Sequence, residues 1–453
     1  MMTTRKAGVL LHPTSLPNEG GLGTLGVSAW RFLDWMESAG LKVWQMLPLT
    51  QPVDGLSPYQ SVSAFALNPA LLPMDWQQYL EVEEFESFLQ TPPHWLEDYA
   101  LFMVLRSHFD YRPWSDWPEA YRSRDLLSLV NFANQHQEAL LQLKQQQFIL
   151  MKLWQTLKAD ANSRGIELFG DMPIFVAYDS ADVWASPDQF KLGEDLQPTV
   201  VAGVPPDYFS ETGQRWGNPH YHWEAMQADD FAWWHRRIAQ ANLLFDRIRI
   251  DHFRGLEASW EIDANEETAM NGKWCKVPGK DLLQSLHEAL EDLNLVAEDL
   301  GVITPEVVAL KNEFNLPGMS VLQFGFNGLP DNPHSLKEQM KNSIVYTGTH
   351  DNDTSLGWWS SLDDKTKYWV QQELTDFQSF GEMPWPLIAA AMSSPAATMI
   401  APMQDYLGLG TEARMNIPGT CEGNWHWQFD WAEIPDDLAD RIKQLVVTYK
   451  RAT

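Results

Sequence analysis

Three acidic residues follow short apolar segments of the kind that form β-strands. Asp251 ends the segment "RIRID", Glu298 follows "LVA", and Asp351 follows "YTGTH". Carboxyl groups can transfer protons and attack an electrophilic carbon, and cleavage of a glycosidic bond requires two of them. A single acid at a strand end is most simply explained as a cap on the next helix. Three such acids favour catalysis, because bringing like charges together costs stability.

The spacing around the first acid indicates how it is used. Arg249 and Asp251 are two residues apart on one strand, so their side chains point to the same face. We expect Arg249 to hold Asp251 ionised, ready to attack the sugar and form a covalent glycosyl-enzyme. Glu298 is then the proton donor, and it serves as the base in the second half of the reaction.

Two histidines adjoin the outer acids. His252 follows Asp251 and His350 precedes Asp351. We expect Asp351, His252 and His350 to bind sugar hydroxyls and to favour a flattened, cationic transition state.

The elements that position these residues alternate between strand and helix patterns. Eight strands are predicted, at 7–13, 42–49, 167–176, 247–253, 294–301, 320–326, 343–351 and 397–405. Helical patterns between them include 28–40, 230–245, 281–293 and 304–314. Eight strand–helix units predict an α/β fold, a (β/α)8 TIM barrel, whose catalytic residues lie at the carboxyl ends of its strands.

Two intervals are too long for ordinary crossovers. Residues 72–160 are predicted to form an inserted, mainly helical subdomain, so the barrel comprises 1–71 and 161–453. Residues 177–228 lack clear periodicity and are predicted to be a long loop that covers the active site.

Composition narrows the class of partner. The 453 residues carry 32 basic and 61 acidic side chains, a net charge of −29 that repels nucleic acid and anionic lipid. The 22 tryptophans suit stacking on sugar rings as well as core packing. No apolar run approaches the ~20 residues of a membrane helix. With only two cysteines and no signal-peptide pattern, we expect a soluble cytoplasmic protein. The oligomeric state stays open.

Two other kinds of site have partial support. "GLGTLG" at 21–26 matches a dinucleotide-binding pattern, but the strand context is wrong and a plain glycine-rich loop is favoured. "THDND" and "IDHF" combine histidines and carboxylates as barrel metallohydrolases do, but the first strand offers only His12 and no paired His-x-His. No metal site is therefore assigned.

Long motifs resemble glycoside hydrolase family 77, the amylomaltases or 4-α-glucanotransferases, which are related to the α-amylase clan. They run nearly end to end and include "LLHPTSLP" (10–17), "SPYQSVSAFALNP" (57–69), "GDMPIFVAYDSADVW" (170–184), "VAGVPPDYFSETGQRWGNPHY" (201–221), "RIDHFRG" (249–255), "AEDLG" (297–301), "YTGTHDNDT" (346–354) and "LGTEARMNIPGT" (409–420).

The resemblance implies Asp251 as nucleophile, Glu298 as general acid/base and Asp351 as transition-state stabiliser. It also implies that the segment "PPDYFSETGQRWGNP" covers the cleft, that no metal or other cofactor is needed, and that a C-terminal β-domain is absent. Further substrate-binding residues that it implies are Tyr59 on the donor side and Asp207, Trp216, Asn218 and Phe324 near the acceptor.

The function expected from these observations is transfer of α-1,4-glucan segments between maltooligosaccharides or starch-type glucans, with retention of configuration. An α-1,4-glucan hydrolase requires the same carboxylates and is the main alternative. A metal-dependent hydrolase and a non-catalytic glucan-binding protein are the alternatives from other classes.

Overall fold

The computed structural model describes residues 5–206, 210–329, 331–420 and 422–451. Twelve strands occur within these residues: β1 Lys6–Leu10, β2 Val43–Gln45, β3 Glu167–Pro173, β4 Val200–Val204, β5 Gln214–Pro219, β6 Arg247–Asp251, β7 Ala258–Asp263, β8 Gly272–Lys276, β9 Leu295–Ala297, β10 Gly318–Val321, β11 Ser343–Tyr346 and β12 Thr398–Pro402.

The same residues form sixteen α-helices. They are α1 Val27–Ala39, α2 Val82–Gln90, α3 Leu96–His108, α4 Glu119–Arg122, α5 Leu126–Gln135, α6 Gln137–Ser163, α7 Ala181–Ala185, α8 Trp223–Ala228, α9 Ala232–Leu244, α10 Gly279–Ala289, α11 Pro305–Glu313, α12 Ser355–Ser361, α13 Asp364–Glu373, α14 Trp385–Ser393, α15 Met403–Tyr406 and α16 Leu438–Thr448. None of the helices in this described part is long and apolar enough to span a membrane.

Eight strands form one parallel sheet in the order β10-β11-β12-β1-β2-β3-β6-β9. The Ala297 amide at the end of β9 donates to the Pro317 carbonyl beside β10 at 2.9 Å, which joins the two ends of the sheet into a barrel. The predicted (β/α)8 barrel is confirmed, and its eight strands lie where the sequence predicted them, with shorter bounds.

Apolar residues pack on both sides of the barrel wall. An inner cluster fills the barrel and includes Leu10, Val43, Phe169 and Ile344. The larger outer cluster lies between the strands and the helices and includes Ile248, Ile250 and Trp154. This two-sided burial explains why the strands are read as nearly continuous apolar runs.

The segment 177–228 contains more regular structure than the sequence suggested. It includes α7, β4, β5 and α8, and β4 and β5 join β7 and β8 in a four-stranded antiparallel sheet ordered β5-β4-β7-β8. Strand β7, "ASWEID", follows β6 after one 3₁₀ turn, Phe253–Leu256. This second sheet therefore lies at the carboxyl end of the fourth barrel strand.

Helix α6 connects the helical segment to the barrel. It contacts α2, α3 and α5 on one side and α1, α9 and β3 on the other. The Trp154 indole on this helix donates to the Leu244 carbonyl at the end of α9 at 2.8 Å. One long helix thus packs against both parts of the molecule.

Candidate active site

Strand β6 points charged side chains into the barrel and apolar ones out of it. Ile248 and Ile250 pack in the outer cluster, so the alternation of a strand directs Arg249 and Asp251 inward. Arg249 Nη2 lies 2.7 Å from Asp251 Oδ1. The two residues therefore lie on one face of the strand, as expected from their spacing, and form an ion pair.

Arg249 is shared with a second acid that the sequence reasoning did not single out. Its Nη1 donates to both carboxylate oxygens of Asp171, at 2.8 and 2.6 Å. Asp171 lies on β3 in register with Arg249, and its side chain is 1% exposed. Asp171 lies in the middle of the predicted strand 167–176, so a search for acids at the carboxyl ends of predicted strands does not find it; the signal that could have found it is a charged residue inside an otherwise apolar strand.

Glu298 lies on the strand next to Asp251. Ile250 pairs with Ala297 in the sheet, so the two following residues, Asp251 and Glu298, reach the rim of the barrel side by side. Backbone amides hold the Glu298 carboxylate. The His252 N–H donates to Oε2 at 2.8 Å and the Leu300 N–H donates to Oε1 at 2.9 Å.

His252 adopts an unusual backbone conformation that makes one of these bonds. Its φ of 54° and ψ of 49° lie in the left-handed region, which a residue with a Cβ rarely occupies. The strand ends abruptly there, and the chain turns so that the His252 amide faces Glu298. The strain is thus located at the turn that links the two carboxylates.

The environment shifts the pKa values of both carboxyls in the same direction. Burial raises the pKa of Glu298, while Arg249 and the two backbone amides oppose that rise. Burial also raises the pKa of Asp251, Arg249 lowers it, and the neighbouring carboxylates of Asp171, Glu298 and Asp351 raise it. A proton is therefore readily held between these acids, and Arg249 is the group that favours an ionised Asp251.

Asp351 approaches the site from the loop after β11. Its side chain is 46% exposed, and Oδ1 accepts a 2.6 Å hydrogen bond from Asn416 Nδ2. His350 Nε2 lies 3.4 Å from the same oxygen. Arg414 Nη2 donates to the Asp351 carbonyl oxygen at 2.7 Å. Arg414 and Asn416 lie in the motif "LGTEARMNIPGT", and no sequence pattern indicated their contact with Asp351.

Tyr59 connects Asp171 on β3 with His350 in the loop after β11. Its hydroxyl donates to Asp171 Oδ2 at 2.6 Å and lies 2.9 Å from His350 Nε2. Because the hydroxyl has one proton and gives it to the carboxylate, the imidazole is assigned as the donor in the second bond. The Tyr59 and His350 rings stack at 5.3 Å, and Trp425, a further residue missed from sequence, lies 5.9 Å from each.

The site histidines are neutral near pH 7. Burial lowers the pKa of His252 to about 3, with Arg254 adding to the effect. Burial also lowers the pKa of His350, against the attraction of Asp351. Neutral imidazoles can both donate and accept, which suits hydrogen bonding to uncharged hydroxyl groups.

The covering segment reaches the site through Trp216. Its ring meets His252 edge-on at 4.9 Å. Asn218 is buried, donates to the Val176 carbonyl at 2.9 Å and accepts from Gln60 Nε2 at 2.9 Å, so it ties this segment to the loop that carries Tyr59. Asp207 lies outside the residues that the structure describes.

Phe324 lies apart from this cluster. It ends a 3₁₀ turn after β10, the sixth barrel strand, and is 42% exposed beside His334. An exposed aromatic ring at the carboxyl end of a barrel strand is available for stacking.

Among the described residues, no group of three or more His, Cys, Asp or Glu side chains is arranged to hold a metal ion. Near Asp251 the Arg249 guanidinium lies between the carboxylates of Asp171 and Asp251.

Comparison with known proteins gives consistent matches over the whole chain. A family model described as 4-alpha-glucanotransferase, of glycoside hydrolase family 77, matches residues 11–82 and 75–432. A 4-alpha-glucanotransferase from Thermus thermophilus is 42% identical over 100% of both chains. A chloroplastic/amyloplastic 4-alpha-glucanotransferase from Solanum tuberosum is 40% identical over 99% of this chain and 86% of the relative. The solved structure of an amylomaltase from Streptococcus agalactiae in complex with acarbose superimposes with a TM-score of 0.93 at 32% identity, covering 99% of each chain.

Proposed function

The chain belongs to glycoside hydrolase family 77, the 4-α-glucanotransferases, and on that premise we propose that Asp251, Glu298 and Asp351 carry out the transfer of α-1,4-glucan segments. The observation that carries this proposal is the convergence of Arg249, Glu298 and Asp351 on Asp251 at the carboxyl end of the barrel. Asp251 and Glu298 follow paired positions of neighbouring strands, and a retaining double displacement uses two carboxyl groups that lie close together.

In the first step Asp251 attacks the anomeric carbon of the donor glucan. Arg249 holds Oδ1, so Oδ2 is the attacking oxygen. The bond between the anomeric carbon and the leaving 4-oxygen breaks, and protonated Glu298 gives its proton to that oxygen. One part of the glucan leaves with a free 4-hydroxyl, and the other stays as an ester on Asp251.

In the second step the 4-hydroxyl of an acceptor glucan attacks the same carbon. Glu298, now ionised, takes the hydroxyl proton, the ester bond breaks, and Asp251 is regenerated. Two inversions restore the α configuration. Asp351, with His252 and His350, binds hydroxyls of the reacting sugar and stabilises the positive charge of both transition states.

We assign the remaining substrate contacts by position. Tyr59 lines the donor side through its bonds to Asp171 and His350. Trp216 and Phe324 supply aromatic surface for acceptor sugars, and Asp207 is assigned to the acceptor side from sequence. Asn218 acts by holding the covering segment in place, because both ends of its amide are already bonded.

Glucans serve as both donor and acceptor in this proposal. The similar amylomaltase from Streptococcus agalactiae was solved in complex with acarbose. A cytoplasmic location is proposed from the low cysteine content of two in 453 residues. We also propose that residues 72–160 form an inserted subdomain on a barrel of 1–71 and 161–453, supported by the run of helices α2 to α6.

The assignment of the nucleophile is tested by incubating wild type and Asp251→Asn with maltotriose. The wild type should form glucose and a ladder of longer maltooligosaccharides at a constant number of reducing ends. Asp251→Asn should lose at least ~10⁴-fold in rate, because an amide cannot form the ester. Circular dichroism should show an unchanged fold, and substantial transfer by the variant would contradict the assignment. Rising reducing ends with only shorter products would indicate a hydrolase instead.

A further inference from the structure

The loop after the eighth barrel strand contacts Asp351 at two points. Asn416 Nδ2 donates to Asp351 Oδ1 at 2.6 Å, and Arg414 Nη2 donates to the Asp351 carbonyl oxygen at 2.7 Å. One bond fixes the backbone and the other fixes the carboxylate. The loop therefore determines both where Asp351 lies and how its side chain is rotated.

Asn416 is itself held rigidly by its own loop. Asn416 is 8% exposed, and its backbone carbonyl oxygen accepts a hydrogen bond from Arg414 Nε at 2.8 Å. The residues on either side are tied as well. The Trp425 amide donates to the Met415 carbonyl at 2.7 Å, and the Ile417 amide donates to Asn424 Oδ1 at 2.9 Å. The backbone that carries the Asn416 side chain is thus fixed before any substrate arrives.

We propose that Asn416 is a positioning residue that orients Asp351 for transition-state stabilisation. Its N–H holds Oδ1, which turns the other carboxylate oxygen of this half-exposed side chain toward the sugar. An amide N–H donates a hydrogen bond but does not ionise. It therefore stabilises an ionised carboxylate without transferring a proton to it. This inference rests on the role proposed above for Asp351.

Several other charged or titratable groups face Asp351 and bear on its test. His350 Nε2 lies 3.4 Å from Oδ1, Arg414 is bonded to the backbone oxygen, and Asp251 and Tyr59 interact with Asp351 electrostatically. None of these groups is changed by a substitution at position 416. A shift in the pH profile of a variant at 416 therefore reports the new group at that position.

The decisive variant is Asn416→Asp, which has nearly the same shape but places a second carboxyl beside Oδ1. Two carboxyls at this distance share a proton, so more Asp351 is neutral at mildly acidic pH. The acid limb of the profile of kcat against pH should move to higher pH. At pH 6 kcat should fall by ~10- to 100-fold, with KM for maltotriose changed by less than ~3-fold.

A second variant keeps the test independent of the new charge. Asn416→Ala removes the donor, so kcat should fall by ~10-fold or more with no movement of the acid limb, and KM should again change little. Combined with Asp351→Asn, the alanine variant should cause no further loss, because the group it orients is no longer a carboxylate. Asn265→Asp is the matched control: on the exposed turn after β7 the Asn265 amide donates to Asp263 Oδ1 at 2.9 Å, so the same change is made beside a carboxylate away from the site, and the acid limb should stay in place.

Each outcome has a separate meaning. If Asn416→Asp keeps the wild-type kcat and pH profile, the inference is wrong while the proposed function stands. An increase in KM alone would place Asn416 in direct contact with sugar and would also contradict it. If Asp351→Asn transfers glucans at the wild-type rate, the role assigned to Asp351 fails, and the inference fails with it.

Discussion

Arg249 is the single cation on which the carboxylates of this site converge. It bonds to Asp171 with one nitrogen and to Asp251 with another, and Tyr59 joins the group through Asp171. A guanidinium can serve two carboxylates at once because its five donors are fixed in a plane. Asp171 and Asp251 therefore share the positive charge of Arg249. The ionisation of Asp251 depends on how strongly Arg249 binds it.

Replacing Arg249 with lysine should expose this dependence. Lysine keeps the charge but cannot bond both acids in the same geometry, so the pKa of Asp251, already raised by burial, should rise further. We expect kcat/KM at pH 6 to fall by ~100-fold or more and the acid limb of its pH profile to move to higher pH.

Arg247→Lys is the matched control for this experiment. Arg247 also points into the barrel from β6, but it pairs with Glu167 at 2.9 Å, one strand pleat further from the catalytic acids. Its replacement should leave the acid limb where it is. Equal shifts in the two variants would show that any arginine-to-lysine change inside the barrel has this effect, and that it is not a property of Arg249.

The proximity of Arg249, Asp251 and Glu298 was predictable from the sequence because strand periodicity is local. Arg249 and Asp251 share a face by parity alone, and Glu298 is adjacent because parallel strands end at one rim. Asn416, Arg414 and Trp425 were not found, because their contacts join loops more than 60 residues apart in sequence. A contact between two distant loops produces no periodic pattern in the sequence.

At the scale of elements, the loop that carries Tyr59 is fastened by a buried acid. Asp182 at the start of α7 is 6% exposed, and its Oδ2 accepts from the Ala64 amide at 2.8 Å. Burial raises the pKa of Asp182 to about 6, while the Ala64 amide and Arg237 oppose the rise. The folded state therefore binds a proton here more tightly than the unfolded chain does.

This shift predicts how stability depends on pH. With a folded pKa above the unfolded one, the stabilising contribution is complete below the unfolded pKa and is lost as pH rises toward 6. Asp182→Asn removes that loss, so its stability relative to wild type should increase by about 2 kcal/mol between pH 4 and pH 7.5. Urea unfolding at the two pH values measures the difference.

Asp188→Asn serves as the control for that measurement. Asp188 lies six residues further on, is exposed, and accepts from Gln189 Nε2 at 3.0 Å. Its effect on stability should be the same at both pH values. A difference for Asp182→Asn that does not change with pH would contradict the assignment of a raised pKa.

The elements themselves were predictable to different degrees. Most of the barrel strands are short apolar runs buried on both faces, β6 alternates apolar with charged residues, and both patterns are readily recognised. Strands β4 and β5 were not predicted, because they lie in a segment rich in Gly and Pro and gain stability by pairing with each other and, through β4, with β7. Their pattern depends on tertiary contacts more than on local sequence.

At the scale of the whole molecule, the reaction requires parts that are distant in sequence to act together. Asp251, the proposed nucleophile, ends the fourth barrel strand, the proposed acid/base Glu298 follows the fifth, and Asp351 lies in the loop after the seventh. The loop after the eighth strand then bonds to Asp351, and Tyr59 closes the ring from the loop after the second. Closure of the barrel is what makes these five segments neighbours.

The proposed double displacement passes through a covalent ester between the donor glucan and Asp251. It is tested most directly by treating Glu298→Gln with maltotriosyl fluoride. Fluoride leaves without help from an acid, so the ester should still form. Without a base at position 298 it should break down slowly.

Proteolysis and mass spectrometry then locate the sugar. We expect one peptide to gain the mass of a maltotriosyl group attached at Asp251. Adding an anionic nucleophile such as azide should release the sugar and restore the mass of the unmodified peptide. Attachment at another residue would contradict the assignment of the nucleophile. Steady consumption of the fluoride with no modified peptide at any time would contradict the double displacement itself.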